Sequence, residues 1–371
     1  MALDGGARSC AAFAAAGSVA MSTTELQLSR SRDPGTAAGS TAPRARLRGR
    51  AMTLAALAVF VGGTVAVIAV NGLFLSRDWL LLWVLLGLLA LSISDVKRWV
   101  RGVVFDWLPF AAFLVFYDLS RFFSEQLNIT PHIAPQIEVD RWLFGNPIPT
   151  VRLQQALYHW PDFAWYDYPI WAVYMTHFFA TLVIAALLWR FAYRRFRQFR
   201  VMVITLAGAG FLTYILFPAV PPWMASNMHQ LEHTRRVVSD TWQHLGVNTA
   251  NALVEGHSDF FNQVAAVPSM HAAYPVLFLL FFWAGARRWV RAVLVAYPLA
   301  MAFVLVYSAE HYVADILLGW IYAVAVFSVV TALGRVRARR RAGTAERAPP
   351  AIGPVGRQPA VETGAGSSHR D

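Results

Sequence analysis

The chain has 371 residues, of which 57% are hydrophobic and 14% charged, whereas an ordinary soluble protein carries roughly 25% charged residues. That balance excludes a disordered polypeptide, a fibrous repeat and most water-soluble enzymes of this length, and it points to one membrane-embedded body. The formal net charge is nevertheless +11, from 32 basic and 21 acidic residues, and Lys97 is the sole lysine. The sole cysteine, Cys10, lies in a low-complexity N-terminal stretch, which excludes a disulfide, a cysteine-based metal site and a catalytic thiol.

In chain order, residues 1–20 mimic a signal peptide, but their small-residue run is mostly alanine and a polar, arginine-bearing stretch follows. Residues 1–48 therefore read as a disordered cytoplasmic tail, with Met21 as an alternative start. A helix that crosses the apolar core of a bilayer needs about 20 residues. Stretches of that kind fall at 51–75, 79–94, 102–120, 163–189, 201–220, 268–286, 289–309 and 312–333. The expected fold is all-α, a polytopic bundle of about eight transmembrane helices occupying residues 49–335. Residues 121–162 are too charged to span, yet carry Trp142, Phe144, Leu153, Tyr158 and Trp160, the pattern of short amphipathic helices lying on the interface. Residues 342–371, rich in Gly, Pro, Ala and Arg, extend a second disordered tail that begins at 336.

The connecting segments alternate in charge. Arg44 to Arg50, Lys97 to Arg101, Arg190 to Arg200, Arg287 to Arg291 and Arg335 to Arg341 fall on one side. The segments 121–162 and 218–267 and the turn at Glu310 fall on the other. The excess of positive charge in cytoplasmic loops places the first set, and both termini, in the cytoplasm of a multi-pass plasma-membrane protein. The basic surplus is thus a topology signal, supplemented by attraction to anionic lipid; no motif for nucleic-acid binding accompanies it. Nine of the ten histidines, all except His369, fall in outward segments or in helices opening outward. Histidine transfers protons near neutral pH, so the expected active site faces outward.

Two local patterns carry chemistry. Val267-Pro268-Ser269-Met270-His271 opens the sixth span, and His311-Tyr312-Val313-Ala314-Asp315 opens the eighth. One descending and one ascending span lie between them, so both histidines return to the same outer level. His311 and Asp315, at i and i+4, share a helix face. A carboxylate there can accept one ring N–H and make the other ring nitrogen a better nucleophile. Pro268 suits a first helical turn, whose free N–H groups, together with the Ser269 hydroxyl, would cradle a phosphate. His271 could protonate a leaving oxygen. A hydrogen-bonded structural pair is the plainer alternative for each pattern taken alone. Their convergence, and the cost of ionisable groups inside a membrane, favour an active site.

Pro268-Ser269-x-His271 followed by His311-x3-Asp315 resembles the second and third motifs of the type-2 phosphatidic acid phosphatase superfamily. The His-Tyr-x-x-Asp form and the run Phe217 to Trp223 are similar to the inositol phosphorylceramide synthase-like branch, over approximately residues 100–335. The resemblance implies an enzyme acting on a lipid or isoprenoid phosphate through a phosphohistidine, with water or a polyol or sugar hydroxyl as acceptor. It implies His311 as nucleophile, Asp315 as its orienter, His271 as general acid and base, and Ser269 as a phosphoryl ligand, with no metal or other cofactor. The chain departs from the family in three places. No outward lysine precedes the second motif, Leu305 stands where an arginine is expected, and Met270 stands where glycine is usual. Phosphate still needs cationic partners, and the outward candidates are Arg121, Arg235 and Arg236. Arg121 could instead be a snorkelling anchor, and the other two simply solvated charges. Tyr117, Tyr174 and His177 are candidates for a substrate pocket. The rival readings are a transporter or binding protein with an outward His/Asp-lined path, and an inactive family member.

Overall fold

The computed structural model describes the backbone of residues 41–71, 77–110, 112, 130–245 and 264–346. It divides into two compact units, Met1–Arg50 and Ala51–Asp371. Of the first, only the opening of helix α1 (Thr41–Asn71) is described. The expected tails 1–48 and 336–371 fall largely outside the described residues, helical backbone being described from Thr41 and as far as Glu346.

The second unit is an all-α membrane bundle, and among the described residues its only extended pairings are isolated bridges. After α1 come α2 (Arg77–Leu91) and α3 (Val96–Gly102), the latter running into a π-helical turn, Val103–Trp107. Two short helices follow, α4 (Ala134–Phe144) and α5 (Pro149–Leu157). Two long ones are next, α6 (Asp167–Phe191) and α7 (Tyr193–Leu216), and then the small helices α8 (Pro222–Asn227) and α9 (Val237–His244). The chain ends in α10 (Met270–Phe282), α11 (Arg288–Tyr307) and α12 (Val313–Glu346). Gly49–Val70, Asp167–Phe191, Tyr193–Leu216, Arg288–Tyr307 and Val313–Arg340 are long and apolar enough to cross a membrane, and Leu81–Leu91 and Met270–Gly285 are shorter apolar helices. Of the expected third span, 102–120, only the start is described; Tyr117 and Arg121 lie outside the described residues.

The structure redraws two boundaries. The arginine-rich segment expected as a loop between the fourth and fifth spans is helical from Tyr193, and the break is confined to Ala192. Arginine is a good helix former whose apolar stem can lie along a hydrophobic surface. Arg195 accordingly lies over Phe281 and Phe282, and Arg200 pairs with the buried Asp106 at 2.7 Å. Pro268 does not enter the first turn of α10. Ser269 is the N-cap, its hydroxyl accepting from the Ala272 N–H at 3.3 Å, and Pro268 precedes it. A hydroxyl can satisfy one of the orphan donors of a helix start, whereas proline cannot.

Helix α10 packs against α7, α11 and α12. Gly319 permits the closest of these approaches: a Cβ built there would stand 2.3 Å from the Ser269 carbonyl oxygen. At the same end Phe217–Val220 is clasped on both sides, with Ala219 bridged to His132 and to Ala265. That clasp ties the segment after α7 to the residues leading into Ser269.

Candidate active site

The fold brings His311, Asp315, His271, His177 and Tyr174 together. Asp315 is fully buried and His311 is 5% exposed. Nδ1 of His311 lies 3.4 Å from Asp315 Oδ2, but the two do not share a helix face as expected: α12 begins at Val313, and His311 meets the carboxylate from the turn that precedes the helix. The other ring nitrogen, Nε2, lies 3.4 Å from His271 Nδ1. His177 is stacked on the His271 ring at 3.8 Å between centroids, and Tyr174 at 5.1 Å. A line therefore runs from carboxylate to imidazole to imidazole, backed by a third imidazole and a phenol.

The line is fixed by several main-chain contacts. Asp315 Oδ2 also accepts the Tyr312 N–H at 3.0 Å, while its main-chain carbonyl accepts from the Ser269 N–H at 3.0 Å. The second and third motifs are thus joined directly. Ser269 is fully buried and its hydroxyl oxygen caps α10, so it can offer a ligand only its O–H. Met270 lies against Gly210 of α7, where a Cβ would come within 3.0 Å of its sulfur. The large side chain at that position is accommodated because α7 presents a glycine to it.

Asp140 of α4 was not foreseen. Its two carboxylate oxygens accept the Val313 N–H at 3.0 Å and the Ala314 N–H at 2.9 Å, capping α12 from another helix. The side chain is fully buried. Burial raises its pKa to about 6 against the opposing pull of the two amides, with a smaller push from Asp315. The only sequence signal for it is an acidic residue on an otherwise amphipathic segment, which names no partner.

The two loop arginines behave differently. Arg235 places Nε and Nη2 on Asp240, each at 2.8 Å, and lies over Trp160 at 4.3 Å. The hydrogen bonds to Asp240 hold its guanidinium charged more firmly than usual. Its main chain is clamped by Gln154, which accepts from the Arg235 N–H and donates to the Arg235 and Tyr307 carbonyls, all at 2.8 Å. Arg236 turns to the other side. It pairs with Glu310 at 2.8 and 3.4 Å and lies over Trp223 at 5.0 Å. It is close enough to act electrostatically on His271, and Tyr174 interacts with both Arg236 and Glu310. Leu305, where an arginine was expected, is fully buried instead, and its carbonyl accepts the Glu310 and His311 N–H groups at 3.0 and 3.3 Å. Arg236 is held next to this turn by its pairing with Glu310. The run Phe217 to Trp223 also finds its use here: the Trp223 N–H holds the Ala309 carbonyl at 3.1 Å while its ring underlies Arg236.

Among the described residues no group of three or more His, Cys, Asp or Glu side chains is arranged to hold a metal ion. An apolar cavity of about 300 Å³ lies between α6 and α11, lined by Tyr166, Ile170, Val173, Phe303 and Val304 among others.

The fold is that of a polytopic helical membrane protein, with paired histidines and a buried aspartate at one end. The sequence pattern of the PAP2 superfamily matches residues 137–329, more than half of the 371, and the chain belongs to that superfamily. It is a membrane lipid phosphatase or phosphotransferase in the broad sense of that family. The chain is also similar to the phosphoinositol dihydroceramide synthase of Bacteroides thetaiotaomicron, with 28% identity over 235 residues, covering 59% of this chain and 73% of that protein. No solved structure matches the chain.

Proposed function

We propose that the protein transfers a phosphoryl-bearing group from a lipid or isoprenoid phosphate through a phosphohistidine on His311. The observation that carries this reading is the run Asp315–His311–His271, with successive contacts of 3.4 Å and Arg236 alongside. His311 Nδ1 faces the carboxylate, which leaves Nε2 as the nucleophilic atom. Nε2 forms the N–P bond while the P–O bond to the leaving alcohol breaks, and a proton on His271 passes to that oxygen. In the second half the acceptor O–H gives its proton to His271 as its oxygen displaces the histidine from phosphorus. His271 Nδ1 now sits directly against Nε2, so the rings must part for phosphorus to enter and the leaving oxygen to stand in line. Arg236 supplies the positive charge that the phosphoryl oxygens require, and Ser269 offers one hydroxyl donor.

In this reading the chemistry runs without a metal, on the extracytoplasmic side of the plasma membrane, with both termini cytoplasmic. The cavity between α6 and α11 would take part of the lipid chain. Its wall residues Ile170 and Val173 lie on the same α6 face as His177, at helical spacings of three and four. The name of the Bacteroides relative joins a phosphoinositol group to a dihydroceramide, which favours transfer of a phosphoinositol-type headgroup to an alcohol over hydrolysis. The test is turnover of a panel of lipid phosphates, including phosphoinositol lipids, by purified protein with and without a ceramide-type, inositol or glycerol acceptor. Product formation that requires the acceptor supports transfer, and acceptor-independent release of phosphate supports hydrolysis. Full turnover by His311→Ala would refute the assignment of the nucleophile.

A further inference from the structure

A fixed carboxylate beside a phosphoryl group works against binding, because like charges in a partly desolvated site repel. Glu310 nevertheless precedes His311 in the chain and is 7% exposed. Both of its oxygens engage Arg236, Oε1 at 2.8 Å from Nε and Oε2 at 3.4 Å from Nη2. The partners are preset from opposite sides. Gln154 and the Arg235–Asp240 pair hold the chain that carries Arg236. Glu310 is set by a left-handed turn at Ala309, φ 56°, a conformation that alanine adopts only when its surroundings impose it. The Trp223 N–H holds that turn by its carbonyl. Tyr174, stacked on His271 at 5.1 Å between centroids, lies within electrostatic range of both members of the pair.

We propose that Glu310 is a positioning residue that acts as an internal competitor for Arg236. Its carboxylate holds the guanidinium next to the turn that carries His311, and the phosphoryl group takes over donors that Glu310 relinquishes, beginning with the longer contact to Nη2. Glu310 thereby weakens the grip of the site on phosphate and speeds release of the product anion. The proposal rests on the reading of this site as a phosphoryl-transfer centre.

The test uses full-length protein in nanodiscs, with inorganic phosphate as the probe, measured by calorimetry and as a competitor of lipid-phosphate turnover. Glu310→Gln keeps the shape and removes the charge. It should tighten phosphate binding about tenfold, and lower both KM and kcat because release slows. Glu310→Asp, which keeps the charge on a shorter stem, should stay within about threefold of the wild type. In an Arg236→Gln background the Glu310→Gln effect should vanish, since Glu310 acts through the arginine. Unchanged or weaker phosphate binding by Glu310→Gln, with wild-type binding intact, overturns the competitor role alone. So does an effect that persists undiminished without Arg236. If the wild-type protein neither binds millimolar phosphate nor turns over any lipid phosphate, the reading of the site falls and the competitor role falls with it.

Discussion

Asp140 links the stability of the fold to the geometry of the site. Replacing it by alanine strands the Val313 and Ala314 N–H groups, which it now satisfies at 3.0 and 2.9 Å in a fully buried setting. Each unsatisfied buried donor costs about 1–3 kcal/mol, so Asp140→Ala should destabilise the protein by about 2–5 kcal/mol. Asparagine keeps one acceptor and should cost about half as much. The native carboxyl has a pKa of about 6, above its ordinary value of 3.8, because burial penalises its charge. Its stabilising contribution is therefore fully present below about 3.8 and is lost as pH rises through about 6. At about 1.4 kcal/mol for each pKa unit, the swing is of the order of 3 kcal/mol. The assay is thermal unfolding of wild type, Asp140→Asn and Asp140→Ala in detergent between pH 4 and 7.5. Wild-type Tm measured against that of Asp140→Asn should fall across this range, most steeply between pH 4 and 6. Parallel pH profiles for the two, or a loss below about 0.5 kcal/mol for the alanine variant, would refute the assignment of Asp140 as a buried interhelical cap.

Gly319→Ala forces a Cβ to 2.3 Å from the Ser269 carbonyl and should separate the two motifs, lowering turnover at least about tenfold along with Tm. Gly334→Ala in the same helix meets nothing within 4 Å and should be neutral or stabilising by up to about 1 kcal/mol; equal losses from both would remove steric contact as the cause. Arg236→Gln should raise KM for lipid phosphate about tenfold or more. Arg235→Gln should act chiefly through stability, because its guanidinium is taken up by Asp240 and Trp160; reversed effects in kinetic assays would exchange the two roles. Turnover should survive exhaustive chelation with EDTA, and a loss restored by one added metal would contradict the metal-free mechanism.

The bundle was legible because a membrane span leaves a long apolar signature, whereas the i, i+4 spacing of His311 and Asp315 suggested a shared helix face and the chain instead pairs them from the turn before α12. Their approach to His271 followed from counting two spans between the motifs. What periodicity does not carry is contact between loops and helices. Arg235 and Arg236 are neighbours in one loop, and only the clamp by Gln154 and Asp240 decides which of them pairs with Glu310, the residue before His311. Asp140 was illegible for the same reason, since its partners lie more than 170 residues away along the chain. The arginine-rich start of α7 misled because charge density suggests a loop, whereas arginine stems can snorkel along a helix that continues.

The central claim is that phosphorus passes through His311. Purified protein is incubated with a lipid substrate carrying ³²P at the transferred phosphorus, quenched in alkali and digested, and the labelled peptide is sequenced. The mechanism predicts an alkali-stable, acid-labile label on the peptide containing His311, absent in His311→Ala and slower to form in His271→Gln, which lacks the proton donor of the first half-reaction. Turnover of the same lipid with no label on that peptide, or with label on another residue, would contradict it.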